Sequence, residues 1–219
     1  MQINNFSINN KEIEENYVVS TYNKIANKFS ETRYSVWKSV ISFLNDIPEN
    51  ATVIEVGCGN GKNMLLRDDL RFYGCDISIE FVKICKEKGL NVIEANNLCL
   101  PYTDNSFDYS LSVAVIHHLS SDEHRLDAIN ELVRITKPKG KIFIEVWAFE
   151  QEDANKFDFN NQDVLVPFKD RITGKNLGNR YYHLFKKGEL ENIINNINNI
   201  SIIDSFYEKS NWCVVVQKN

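Results

Sequence analysis

At 219 residues and a formal net charge of −5, the chain has room for one α/β domain with a sizeable core. Its overall sign is wrong for gripping nucleic acid over the whole surface, so any such contact must be local. No apolar run approaches the ~18 residues that a membrane span needs, and the first residues are too polar for a secretory leader, so a cytoplasmic protein is expected. Five cysteines without a C-x-x-C pair read as buried, reduced thiols, and no metal site is expected.

Residues 1–15, rich in Asn and Glu, are expected to be a flexible N-terminus ahead of a single domain over 16–219. Tyr17, Val18, Tyr22, Ile25, Ala26 and Phe29 recur at helical spacing, and a second helix is expected over 36–45. The polar joint between them, 30–34, holds Arg33, whose bland reading is a solvated loop arginine. The run V-I-E-V-G-C-G-N-G at 53–61 then reads as a buried strand followed by Gly57, Gly59 and Gly61. These three predict a sharp turn into a helix starting near Lys62. Glycine lets the backbone take positive φ and come within contact distance of a ligand. The spacing G-x-G-x-G is not the dinucleotide fingerprint, and a plain tight turn is its structural alternative.

A strand over 72–75 stops at Asp76. This acid lies fifteen residues past Gly61, near the ~20-residue interval at which βαβ nucleotide-binding units place a carboxylate for ribose hydroxyls. Capping the next helix is its alternative role, compatible with the first. Ser78 is expected as that helix's N-cap and Gly89 as its C′ residue. A third strand over 91–95 leads to Asn96, Asn97 and Leu98. A nearly continuous apolar strand over 109–115 ends at His117-His118. Ser120 and Glu123 have capping-box spacing for a helix carrying Leu126, Ile129, Leu132 and Val133, closed by Pro138 and Gly140. A fifth strand follows over 141–147.

Strands alternating with helices specify a doubly wound, mostly parallel α/β sheet. Residues 148–180 break the alternation and are expected to be irregular, within a substrate-side insertion over 148–187. Between 169 and 187, six basic residues (Lys169, Arg171, Lys175, Arg180, Lys186, Lys187) face one acid, Asp170. That excess is either a local nucleic-acid contact or a solvated face. A helix over 188–198 and strands over 200–207 and 212–217 close the chain as an antiparallel hairpin.

The glycine run resembles motif I of the class I S-adenosylmethionine methyltransferases. Further stretches narrow the resemblance: Tyr22-Asn23-Lys24-Ile25-Ala26 with Phe29-Ser30 and Thr32-Arg33-Tyr34, Ala114-Val115-Ile116-His117-His118, Val146-Trp147-Ala148 with Glu150-Gln151, and Asn179-Arg180-Tyr181-Tyr182-His183-Leu184-Phe185. With Val166-Pro167-Phe168 and Lys209-Ser210-Asn211-Trp212, they resemble the eukaryotic tRNA wobble-uridine methyltransferases that esterify 5-carboxymethyluridine. That family includes the methyltransferase domain of the AlkB-like tRNA hydroxylase.

The resemblance implies a Rossmann-like, seven-stranded sheet and S-adenosyl-L-methionine held by Glu55, Gly57, Gly59, Gly61, Asp76, Asn96 and Leu98. It implies a tRNA anticodon loop as substrate, with the acceptor oriented by Arg33, His117, Trp147, Arg180 and His183. For His117, a histidine satisfied at a strand end is the alternative. Tyr181 and Tyr182 either stack on an unpaired base or belong to the core. Asn96 stands where many class I methyltransferases carry Asp, and Lys139 where a glycine is usual; prolines expected around Trp37 are absent. The resemblance further implies a heterodimer with a small zinc-binding activator subunit, and the expected edge strand 91–95 has no Lys or Pro to discourage pairing. An ionised carboxylate acceptor needs no general base, so positioning should dominate the chemistry. The rivals are a methyltransferase for a small acid or lipid, and a cofactor-blind subunit that only binds RNA or a partner.

Overall fold

The computed structural model describes residues 9–152 and 159–219. Its strands are β1 Thr52–Val56, β2 Arg71–Asp76, β3 Val92–Glu94, β4 Phe107–Val113, β5 Thr136–Trp147, β6 Asp163–Lys169, β7 Asn176–His183, β8 Ile200–Glu208 and β9 Asn211–Lys218. Seven of them form one sheet in the order β3-β2-β1-β4-β5-β9-β8. The first five run parallel, β9 runs antiparallel to β5, and β8, antiparallel to β9, runs in the direction of the first five. Because β1 pairs with both β2 and β4, the winding reverses there. The crevice beyond the carboxyl ends of strands at such a switch point is where doubly wound sheets take ligands.

Both faces of the central strands are covered, which is why they read as near-continuous apolar runs. On one face α5 (Asp122–Ile135) and α6 (Glu189–Ile194) bury Ile129, Leu132 and Leu190 against Ile54, Ile142 and Val214. On the other, Val40, Phe43 and Leu44 of α3 (Lys38–Asn45) pack on Val53, Leu111, Phe143 and Cys213. The helix α4 (Ile79–Glu87) joins β2 to β3. Its first turn is capped as expected, with Phe81 N donating to Ser78 Oγ, and Gly89 takes φ +75° just past its end.

Five expectations need correction. Residues 1–8 lie outside the described residues, but 9–15 are ordered. Asn9 caps a short helix, α1 (Asn10–Glu14), and Glu14 accepts from Ser120 N at 2.7 Å and bonds His124 Nδ1 at 2.8 Å. A π turn, Glu15–Val19, then joins α1 to α2 (Ser20–Ser30).

No helix starts at Lys62. The segment is a chain of turns in which Lys62 N donates to Asn60 Oδ1, a local side-chain bond that competes with a helix, and Asn63 Nδ2 is held by buried Glu55 Oε1. Ser121, not Ser120, caps α5 through His124 N at 3.1 Å, because Glu14 and the Asn10 carbonyl occupy Ser120.

The stretch 148–180 is not irregular throughout: β6 and β7 pair as a separate antiparallel hairpin, with Val164, Val166 and Phe168 buried at alternate positions. Finally, β5 begins at Thr136 and runs through Pro138, with Lys139 held at φ +68°. That is the left-handed region a glycine would occupy without strain.

Candidate active site

A cavity of about 650 Å³ opens at the carboxyl ends of β1 and β4. The glycine loop folds back over β2, with Gly57 N and Cys58 N both donating to the Cys75 carbonyl at 2.8 and 3.0 Å. Gly57 takes φ +80°, and a Cβ there would sit 2.3 Å from Val115 Cγ2. Gly59 takes φ +52° with open space where a Cβ would stand, which leaves a cradle of bare backbone. Asp76 fixes this loop: Oδ2 accepts from Gly59 N at 2.8 Å and Oδ1 from Ser78 N at 2.9 Å. Burial pushes its carboxyl up to about 6, against the pull of those two bonds.

Glu55 lies deeper. Burial pushes it up to about 8 although Asn63 Nδ2 donates to Oε1 at 2.6 Å, and Oε2 has no partner among the described residues.

The opposite end of the cavity is cationic and aromatic. Arg180, only 5% exposed, donates from Nη1 to Tyr182 OH at 2.8 Å and lies over the Tyr182 and Phe168 rings. Its Nε is buried without a partner, and no described carboxylate forms an ion pair with it or with Arg33. Arg33 rests on Phe29, and burial, with Arg180 nearby, lowers its pKa.

His117 accepts the Trp147 backbone N–H on Nδ1 at 3.2 Å and stacks on Tyr182 with centroids 4.7 Å apart. Burial, with His118 and Arg180 beside it, holds His117 well below the usual imidazole value. The neutral ring therefore carries its proton on Nε2, as a donor. His118 is the supporting ring: its Nδ1 donates to the Tyr181 carbonyl and its Nε2 accepts from Tyr22 OH at 2.8 Å. Burial brings it down to about 3.

A protein-family model described as "Methyltransferase domain" matches residues 54–144, from β1 into β5. A tRNA (carboxymethyluridine(34)-5-O)-methyltransferase of Schizosaccharomyces pombe is 36% identical, over 95% of this chain and 99% of that protein. The chain belongs to this methyltransferase family. A Xenopus tropicalis relative, named tRNA (carboxymethyluridine(34)-5-O)-methyltransferase alkbh8, is 33% identical over 94% of this chain and 41% of that protein, so the chain spans less than half its length. Among solved structures, a Burkholderia thailandensis 1,6-didemethyltoxoflavin-N1-methyltransferase with bound S-adenosylhomocysteine superposes with a TM-score of 0.70 at 15% identity. The match covers 99% of this chain and 93% of that one, and shows the shared fold.

In this family member the cavity is lined by Glu55, Gly57, Gly59, Asp76 and Asn96 and also by Arg33, His117, Trp147 and Arg180. Three expected residues do not line it. Gly61 is a packing position: a Cβ there would meet Leu90 Cδ1 at 2.3 Å. Leu98 packs on the core, and its N–H donates to Asn96 Oδ1 at 2.9 Å, which takes one of that oxygen's two lone pairs.

His183 is clamped between Asp163 Oδ1 at 2.8 Å and Glu189 Oε1 at 2.6 Å, away from the cavity lining. Burial opposes charging this ring, but the two carboxylates outweigh it and raise its pKa.

The sequence reading did not place Glu14, Val18 or Tyr22 at the site, and they line it from the N-terminal helices. Tyr182, expected either to stack on an unpaired base or to belong to the core, is a buried lining ring that both Arg180 and His117 use. Asn60 straps the arginine loop to the glycine loop through Nδ2 to the Arg33 carbonyl at 2.9 Å, and Lys62 Nζ reaches the Ser35 carbonyl at 2.7 Å. The signal for Asn60 lay inside the glycine motif itself.

Proposed function

We propose that this chain transfers a methyl group from S-adenosylmethionine to the carboxylate of 5-carboxymethyluridine at the wobble position of tRNA, giving the methyl ester. The observation that carries this reading is Arg180, a buried guanidinium in a ligand-sized cavity with no carboxylate to neutralise it among the described residues. A buried, uncompensated cation is costly, and an anionic ligand removes the cost. Arg180, Arg33 and the Nε2–H of His117 form a donor set suited to a carboxylate's two oxygens.

The cofactor end fits its ligand. The bare backbone at Gly57 and Gly59 admits close approach, Asp76 keeps lone pairs for a ribose diol, and the unpartnered Glu55 oxygen suits a cationic amine. Bound there, S-adenosylmethionine supplies an electrophilic methyl group. The acceptor is already ionised, so the residues orient rather than deprotonate, and His117, held neutral, serves as donor and not as base. Trp147 and Tyr182, with centroids 4.6 Å apart, wall the acceptor end from water. A cationic donor and an anionic acceptor lose charge together as the bond forms, so a dry site favours the transfer.

The edge position of β3 supports docking of a small zinc-binding activator by strand addition, and with it a heterodimer. No helix among the described residues is long and apolar enough to cross a membrane, and a cytoplasmic place of work accords with a tRNA substrate.

The test is transfer of labelled methyl to hypomodified total tRNA, with and without the activator, followed by nucleoside identification. Label in 5-methoxycarbonylmethyluridine is expected. Label confined to a small acid or lipid fraction, or none despite measured cofactor binding, would overturn the reading.

A further inference from the structure

The β6–β7 hairpin, which carries Arg180 into the cavity, ends at its far tip in a turn with basic flanks and an apolar point. Ile172 is 92% exposed there, more than any other large hydrophobic residue described. A single exposed apolar side chain is ordinary, but this one is held outward by a built turn. Asp170 Oδ1 accepts from Ile172 N at 3.0 Å, Thr173 N at 2.7 Å and Thr173 Oγ1 at 2.9 Å, and Asp170 N and O close the turn onto Lys175 and Gly174.

The one acid of the tip is thus spent on its own backbone. Lys169, Arg171 and Lys175 stay exposed and, among the described residues, form no ion pair. Phe168, two residues before Asp170, packs on Phe29 with centroids 5.8 Å apart, and Arg33 lies over that same Phe29 ring at 5.0 Å, so the tip end of the hairpin stands on the cavity's side of the molecule. From Arg180 to Lys175 the strand runs about 17 Å at the usual rise of ~3.4 Å per residue, a span of a few nucleotides.

We propose that this tip is an RNA wedge. With the target nucleotide at Arg180, Lys169, Arg171 and Lys175 take phosphates of the neighbouring strand, and Ile172 enters between bases of the single-stranded loop to hold the target base splayed out. Apolar wedges flanked by cations unstack nucleic acid in this way, and sequence-specific RNA recognition draws on bases unstacked in loops. A rigid prong in a cationic surround suits a polyanion with stacked apolar planes better than it suits a protein groove. The inference rests on the tRNA reading above.

The experiment uses the full chain and an anticodon stem-loop that carries 5-carboxymethyluridine next to 2-aminopurine. Binding of the unaltered protein should raise the 2-aminopurine fluorescence. Ile172→Ser, at an exposed position that burdens no core, should abolish the rise and cut kcat on the stem-loop by about tenfold. Its transfer to the free 5-carboxymethyluridine nucleotide should be unchanged. Alanine at Lys169, Arg171 and Lys175 together should weaken stem-loop binding and flatten its salt dependence by roughly three phosphate contacts.

If Ile172→Ser keeps both fluorescence rise and rate, the wedge is wrong while the methyltransferase reading stands. That outcome would also be expected if a protein partner covers the tip. Equal loss of transfer to the free nucleotide overturns the wedge as well. Absence of both stem-loop binding and transfer to any carboxymethyluridine substrate overturns the two proposals together.

Discussion

Arg180 and Lys139 make opposite predictions from the same kind of observation, a residue whose local cost is not met by its neighbours. Arg180 is buried with an unpartnered Nε, and its bond to Tyr182 and the two rings beneath it offset only part of the cost that an arriving anion would remove. Arg180→Ala should therefore lower kcat/KM for the RNA by about 10²- to 10³-fold, the usual consequence of truncating one partner of a buried charge pair. Binding of S-adenosylmethionine should stay within about twofold of the unaltered chain. Arg180→Lys should recover only part of the loss, since a point charge lacks the planar fork. Steady-state kinetics with calorimetric cofactor titration separates these outcomes, and an equal loss of cofactor affinity would mean that Arg180 serves the fold. Lys139 holds φ +68° in the turn of β5 with no ligand to compensate the strain. Lys139→Gly should stabilise the protein by about 1 kcal/mol in urea unfolding, less what glycine's freedom returns to the unfolded chain.

At the level of elements, His183 belongs to the hairpin's attachment. It joins β6, through Asp163, to α6, through Glu189, on the strand that also carries Arg180 and Tyr182. His183→Ala should leave cofactor affinity intact, raise KM for the RNA several-fold, and speed hydrogen exchange of β7 amides relative to β4. A fall in kcat without faster exchange would instead put the ring in the chemistry.

The hairpin also marks where the sequence stops being readable. Strands β1, β4 and β5 announce themselves as apolar runs, and the glycine loop by three glycines in five positions, because each signal is local. The pairing of β6 with β7 is set by contacts across the long turn at Asp170–Lys175, and Pro167 within β6 disguises the alternation. The helix expected at Lys62 fails for a similar reason: Asn60 and Asn63 take local backbone and Glu55 as partners, a choice that depends on where Glu55 is buried. His183 was legible as a motif residue but not as a clamp, since both carboxylates arrive from other elements. Glu14 was hidden because its partners Ser120 and His124 lie more than a hundred residues away.

Across the whole molecule, the buried ionisable groups combine into a pH dependence whose sign follows from their directions. Glu55 and Glu145 are both buried and pushed up to about 8, Glu55 by desolvation and Glu145 by desolvation with Glu208 adding to it. The native state therefore keeps protons on these acids that the unfolded chain has already released, and stability declines as pH rises from about 4.5 to about 8. His183 acts in the same direction: its raised pKa contributes stability below about 6.5 that is lost as pH rises through its folded value. His117 and His118 act oppositely, since both are held neutral in the fold, but their effect is confined to pH below about 6.5.

The window from about pH 6.5 to 8 is thus one in which these groups all pull the same way, and urea-unfolding stability should fall across it by a few kcal/mol at most. Glu145→Gln removes one of the two titrating acids while keeping its shape, so it should flatten the decline by a substantial part without altering cofactor binding. Glu55→Gln should flatten it too, but should weaken binding of the cationic cofactor, because it removes a cavity-lining acid that a nearby cation would hold ionised. A slope unchanged in both variants would show that these two acids ionise freely in the folded protein, and with that the case for a desolvated cofactor end would fail.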